Sequence, residues 1–171
     1  MGVGTGINLG LYRFGADGVT SLTAVDLSAS MLGAARRRAS ALGLCEAGGG
    51  ARTLRFAQAD ATSLPYASGT FDTAVDTFSL CVLGSQAPKA LSELARVLRP
   101  GGRVLLLEHS RADWALLAAY QDVTASAVAA AGKGCFWNQD VLSMLPRAGL
   151  RLVSAQPSLG GLLRTLEAVK E

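Results

Sequence analysis

Leu22-Thr23-Ala24-Val25-Asp26-Leu27-Ser28 is a short apolar run, then a carboxylate, then a helix cap, and its reading decides the fold. An apolar run of that length bounded by polar residues suits a buried strand of a parallel sheet. Ser28 is a strong N-cap residue. Met31, Leu32, Ala35, Ala39 and Leu42 follow it at helical spacing, and Gly43 closes the segment.

The same strand–helix punctuation continues outward. Residues 53–58 read as a second strand that leads to Asp60, and 71–78 as a third that leads past Thr77. Ser85 or Gln86 caps a helix with Pro88 in its first turn, where the missing N–H costs little. Leu91, Leu94, Ala95 and Leu98 form its apolar stripe. Pro100-Gly101-Gly102 is a turn, and 104–107 the fourth strand, running into Glu108-His109. A helix over 112–131 breaks at Gly132-Lys133-Gly134, and Asn138 caps a shorter one that ends near Gly149. Residues 150–154 and 162–169 make a hairpin-like pair at one sheet edge, while 46–52 form a glycine-rich surface loop. This alternation predicts one α/β domain over 1–171: a doubly wound, Rossmann-like sheet, mostly parallel, with an antiparallel C-terminal edge strand.

Composition excludes several classes. Half of the residues are hydrophobic and 17% are charged, which suits a packed domain and not a disordered one. A net charge of +3, with Arg36-Arg37-Arg38 as the dense basic run on a solvated helix face, predicts no nucleic-acid partner. Cys45, Cys81 and Cys135 are far apart and include no CxxC pair, so neither a disulfide framework nor a metal site is expected, and a reducing compartment fits. No apolar run approaches the roughly 20 residues that cross a bilayer. Oligomeric state is not legible.

The functional signal lies at strand carboxyl ends, where ligands sit in open α/β sheets. Gly2-Val3-Gly4-Thr5-Gly6 is a loop whose glycines let backbone approach a ligand. Asp26 follows twenty positions after Gly6, where a carboxylate accepts both hydroxyls of a ribose. Asp60 can accept from an adenine amino group beside a donating Ala61 N–H. The dinucleotide pattern G-x-G-x-x-G fails in both frames, with Ile7 or Leu9 in the last position, and no P-loop is present. These residues therefore predict an adenosine cofactor without phosphates.

Together with Ala24-Val25-Asp26-Leu27-Ser28-Ala29-Ser30-Met31-Leu32, Gln58-Ala59-Asp60-Ala61, Leu64-Pro65-Tyr66, Phe71-Asp72 and Leu98-Arg99-Pro100-Gly101-Gly102, the loop resembles the type 11 methyltransferase domain of the class I enzymes. The resemblance implies S-adenosylmethionine as cofactor. It places Gly2, Gly4, Thr5 and Gly6 along its methionine and ribose, Asp26 on the ribose, Leu27 and Met31 on adenine, Asp60 and Ala61 at the adenine edge, and Thr77 near the methyl. Leu64-Pro65-Tyr66 and Pro100-Gly101-Gly102 also look like the UbiE-type quinone C-methyltransferases. Leu80-Cys81-Val82-Leu83, Leu107-Glu108-His109-Ser110-Arg111 and Gly134-Cys135-Phe136-Trp137-Asn138 are more similar to the methyltransferase-like-7 and mitochondrial Oms-type groups. The first of these methylates small thiols; the second implies an intracellular, mitochondrial link. Both carry a membrane segment upstream of this domain.

A small-molecule acceptor with a thiol, hydroxyl or quinone-like carbon is expected, with His109, the one histidine, as general base or as a pocket-shaping side chain. Cys135 reads as a buried structural thiol, and Trp114, Leu117 and Tyr120 as helix packing. A non-catalytic relative is the alternative function. In this class the glycine loop follows a central first strand, and Met1 stands where that strand finishes. The expectation is a sheet without its central strand, its two halves meeting across a gap with costly unpaired edges.

Overall fold

The computed structural model describes residues 1–15, 18–44, 53–132 and 134–171. Cys45, the whole glycine-rich 46–52 loop and Lys133 lie outside the described residues. The chain divides into two compact units, Met1–Ala61 and Thr62–Glu171.

The first unit is a parallel strand pair with one helix. Strands β1 (Ser21–Asp26) and β2 (Thr53–Gln58) pair from Ser21↔Thr53 to Asp26↔Gln58. Between them in sequence runs α1 (Ala29–Ala41), capped as expected by Ser28, whose Oγ accepts the Met31 N–H at 3.3 Å. Leu32, Ala35 and Ala39 of α1 are buried with Leu9, Ala24, Leu54 and Phe56. Met31 and Leu42 lie off that face and stay 40% and 49% exposed. Arg36, Arg37 and Arg38 are exposed, and the Arg36 guanidinium lies 5.3 Å from the centre of the Phe56 ring.

The second unit holds a four-stranded sheet in the order β3-β4-β6-β5, formed by β3 (Phe71–Thr77), β4 (Leu98–His109), β5 (Leu150–Ser158) and β6 (Leu163–Lys170). β3 and β4 are parallel. β6 runs antiparallel to both β4 and β5, so the expected C-terminal antiparallel pair closes one edge with β5 outermost. The Pro100-Gly101-Gly102 turn does not precede β4 but lies within it. Phe71 pairs with Leu98 and Thr73 with Arg103, a bulge that absorbs the turn. Among the described residues no strand precedes β1, and the strands form a two-stranded and a four-stranded sheet.

Helices α2 (Leu80–Leu83), α3 (Ala87–Val97), α4 (Ala115–Ala131) and α5 (Val141–Arg147) complete this unit. α3 buries Leu91, Leu94 and Ala95 as the stripe predicts. α5 is capped by Asp140, whose carboxylate accepts the Ser143 N–H at 3.2 Å, and not by Asn138. The Asn138 amide instead donates to Asp122 on α4 at 3.1 Å. Along β4 burial alternates, with Val104, Leu106 and Glu108 closed off while Leu105 stays 39% exposed. That period of two carries Glu108 onto the buried face.

Candidate functional site

In the first unit the glycine loop and the two strand ends converge. Gly2, Gly4 and Gly6 have φ of 59°, 54° and 77°, the left-handed region that glycine enters without penalty. Val3 donates its N–H to the Val25 carbonyl at 2.9 Å, which lays the loop beside β1. A side chain on Gly4 would meet nothing within 4 Å, so the loop is open there. One on Gly6 would lie 2.7 Å from Leu9 Cδ1 and 3.1 Å from Ala35 Cα. Gly6 therefore lets the loop pack on α1, whereas Gly4 faces free space.

Asp26 ends β1 and organises this region. One carboxylate oxygen accepts the Gly4 N–H at 2.8 Å, and the other accepts the Ser28 N–H at 2.9 Å. Each oxygen keeps a further lone pair. The backbone thus aims the carboxylate without consuming it. Two residues past β2 stands Asp60, followed by Ala61. Gln58 donates to the Leu27 carbonyl at 3.0 Å and ties the ends of β1 and β2 together. Leu27 is 65% exposed and Met31 40%, apolar surface beside a polar strand end. Apolar walls with a few aimed polar groups are what a small-ligand site requires. Gly2, Gly4, Thr5, Gly6, Asp26, Leu27, Met31, Asp60 and Ala61 all belong to this unit, while Thr77 and His109 close β3 and β4 in the other.

The second unit holds a buried polar group that is absent from the sequence-predicted site residues. Glu108 is fully buried and accepts the N–H groups of Ser79, Leu80 and Cys81 at 2.7, 3.1 and 3.2 Å. It thereby holds the first turn of α2. Burial pushes its carboxyl up to about 8, and the charge of the neighbouring Asp76 adds to the rise. Asp76 is itself buried and accepts the Ser79 hydroxyl, and its Oδ2 has no partner among the described protein atoms. The alternation of burial that puts Glu108 on the closed face with Val104 and Leu106 is a feature of folded β4, and the continuous apolar run at 104–107 does not display it.

His109 follows Glu108 and is half-buried, which lowers its pKa and favours the neutral ring. Its ring lies 5.0 Å from that of Phe78, which adopts a φ of 54°. Its Nδ1 stands 3.3 Å from Cys135 Sγ. Cys81, fully buried on α2, brings a second sulfur, so the sequence-distant Cys81, His109 and Cys135 meet. Burial, then the Glu108 charge, drives the Cys81 thiol upward. Of the pocket candidates, Trp114 precedes α4 and is 76% exposed, while on α4 Tyr120 is 58% exposed and meets Trp137 edge-on at 6.0 Å, and Leu117 is half-buried.

The chain is 36% identical over 125 residues to a phosphatidylethanolamine N-methyltransferase of Cereibacter sphaeroides, covering 73% of this chain and 56% of that protein. It is 31% identical over 159 residues to the ubiquinone/menaquinone biosynthesis C-methyltransferase UbiE of Brucella canis, covering 82% and 56%. The chain thus spans about half the length of the curated relatives it matches. A geranyl diphosphate methyltransferase solved with its S-adenosylmethionine superposes over 99% of this chain and 76% of its own, with a TM-score of 0.73 at 16% identity, a likeness of fold. Among the described residues no helix is long and apolar enough to cross a membrane. A methyltransferase-domain family model matches residues 1–106, and the chain belongs to that family.

Proposed function

We propose that this chain is the cofactor-binding part of an S-adenosylmethionine-dependent methyltransferase acting on a small-molecule acceptor. The observation that carries the reading is Asp26, a carboxylate aimed by the Gly4 and Ser28 N–H groups at the end of β1. Its free lone pairs suit the two hydroxyls of a ribose. The open, positive-φ backbone at Gly4 suits close approach by the ribose and methionine portion. Exposed Leu27 and Met31 suit the faces of adenine, and Asp60 and the Ala61 N–H suit its polar edge.

When bound, the cofactor supplies an electrophilic methyl carbon on a sulfonium. The residues of the first unit fix where that carbon lies, and positioning of donor and acceptor accounts for much of the rate in such a displacement. Both curated relatives carry names that point to small-molecule acceptors, one an amine-bearing lipid and one a quinone precursor. Those names support a small molecule as the acceptor of this chain.

Calorimetry with S-adenosylmethionine and with S-adenosylhomocysteine tests the cofactor half. Saturable heat with both is expected, and Asp26→Ala is expected to weaken binding at least about tenfold, the loss of one charged hydrogen-bonding group. Absence of binding to a protein with native circular dichroism would overturn the reading. Incubation with methyl-labelled cofactor and a panel of amine, thiol, hydroxyl and quinol acceptors tests the other half.

A further inference from the structure

We propose that Cys81, His109 and Cys135 form a three-ligand site for a divalent cation of the zinc class. The three donors come from separate elements: Cys81 from α2, His109 from the end of β4, and Cys135 from the segment between α4 and α5. Their ligand atoms all lie within 4.8 Å of one another, with His109 Nδ1 3.3 Å from Cys135 Sγ. Tetrahedral zinc with sulfur and nitrogen ligands sets its donors roughly 3.5–3.8 Å apart. The cluster therefore reaches that geometry with a movement of at most about 1 Å.

The positions are built, not incidental. Glu108 accepts the Cys81 N–H at 3.2 Å and those of Ser79 and Leu80, which fixes the turn that carries the first thiol. The Phe136 N–H donates to the Cys81 carbonyl at 2.8 Å, which ties the segment of the second thiol to the first. The His109 ring is held against Phe78. What the donors offer each other is weak by comparison. The Cys81 thiol has a contact of 3.6 Å to the Phe78 carbonyl, and Cys135 has the imidazole. Thiols are poor hydrogen-bond donors. Two sulfurs and one imidazole are, however, the donor set that selects a borderline-soft ion over magnesium or calcium.

Binding would convert both thiols to thiolates and release two protons to solvent, while neutral His109 gives its Nδ1 lone pair. Three protein ligands leave a fourth position for water or another donor, the arrangement of catalytic and not structural zinc sites. In this assignment His109 holds the ion, in place of the proton-accepting role its strand-end position suggests, and the expectation of no metal site is replaced. The assignment is independent of the cofactor reading, because its test reads a metal spectrum.

The test is titration of the reduced, chelator-stripped chain with Co²⁺. Thiolate-to-cobalt charge-transfer absorption and the visible bands of a tetrahedral ion are expected, reaching one ion per chain and bleached by Zn²⁺. Because Cys81→Ser alters a fully buried position, Cys135→Ser and His109→Gln at half-buried positions serve as the decisive variants. Each is expected to lower Co²⁺ affinity at least about a hundredfold, beyond what loss of a supporting partner costs, with circular dichroism unchanged. Absence of the charge-transfer band in the folded protein, or a band unchanged in both variants, would overturn the site.

Discussion

At the scale of single residues, Gly4 and Gly6 share a left-handed backbone and differ in their surroundings. Gly4→Ala meets only the conformational penalty, about 1–2 kcal/mol, because no atom lies within 4 Å of the new Cβ. Gly6→Ala meets that penalty and also an overlap with Leu9 and the Ala35 backbone, which cannot move aside cheaply. It is expected to destabilise the protein by roughly 1–3 kcal/mol more than Gly4→Ala, read from urea midpoints at constant slope. Binding should respond in the opposite sense, since the open side at Gly4 is where ligand approach is proposed. Both glycines are visible in the sequence, but which of them serves packing is not, because Ala35 reaches Gly6 only through the folded position of α1.

At the scale of elements, three side chains join helices to the segments beside them. Glu93 on α3 accepts the Leu64 N–H at 2.8 Å, while Arg96 bonds Glu93 and donates to the Leu64 and Tyr66 carbonyls at 2.9 and 2.8 Å. The Arg96 hydrogen bond holds the Glu93 carboxyl below its ordinary value. Its contribution to stability is thus present above the unfolded carboxylate value and lost as pH falls through the lowered folded one. Glu93→Gln should therefore flatten the acid limb of a stability–pH profile, measured by urea unfolding from neutral to acidic pH, with the difference from wild type shrinking as pH falls. Gln121 on α4 is fully buried, accepts the Ala112 N–H at 2.7 Å and donates to the Ser110 and Trp137 carbonyls at 3.0 and 2.7 Å. Gln121→Leu strands those three backbone groups and should cost about 2–4 kcal/mol in chemical denaturation. Helical spacing marks α4 as a packed helix, yet a glutamine inside an alanine-rich run carries no sign that it is the buried member.

At the scale of the molecule, a ligand that binds the folded state alone stabilises it by mass action. S-adenosylmethionine at a hundred times its dissociation constant should add about 2.7 kcal/mol and raise the melting temperature by roughly 5–10 °C. Asp26→Ala, with binding at least about tenfold weaker, should cut that stabilisation to about 1.4 kcal/mol or less under the same conditions. Since nine of the ten proposed cofactor positions lie in Met1–Ala61, hydrogen-exchange protection on binding should concentrate in the glycine loop, at Asp26-Leu27 and at Asp60-Ala61. The strand–helix alternation, the cap at Ser28, the glycine loop and the carboxylates at strand ends were determined by the sequence alone, because each rests on neighbours a few residues apart. Tertiary structure decided the rest. The 99–102 turn is taken into β4 because Phe71 and Thr73 pair across it. Glu108 is buried because the sheet closes over one face of that strand. Cys81, His109 and Cys135 meet because α2, β4 and the segment after α4 end in one place. Their separation along the chain hides a cluster that only long-range packing assembles.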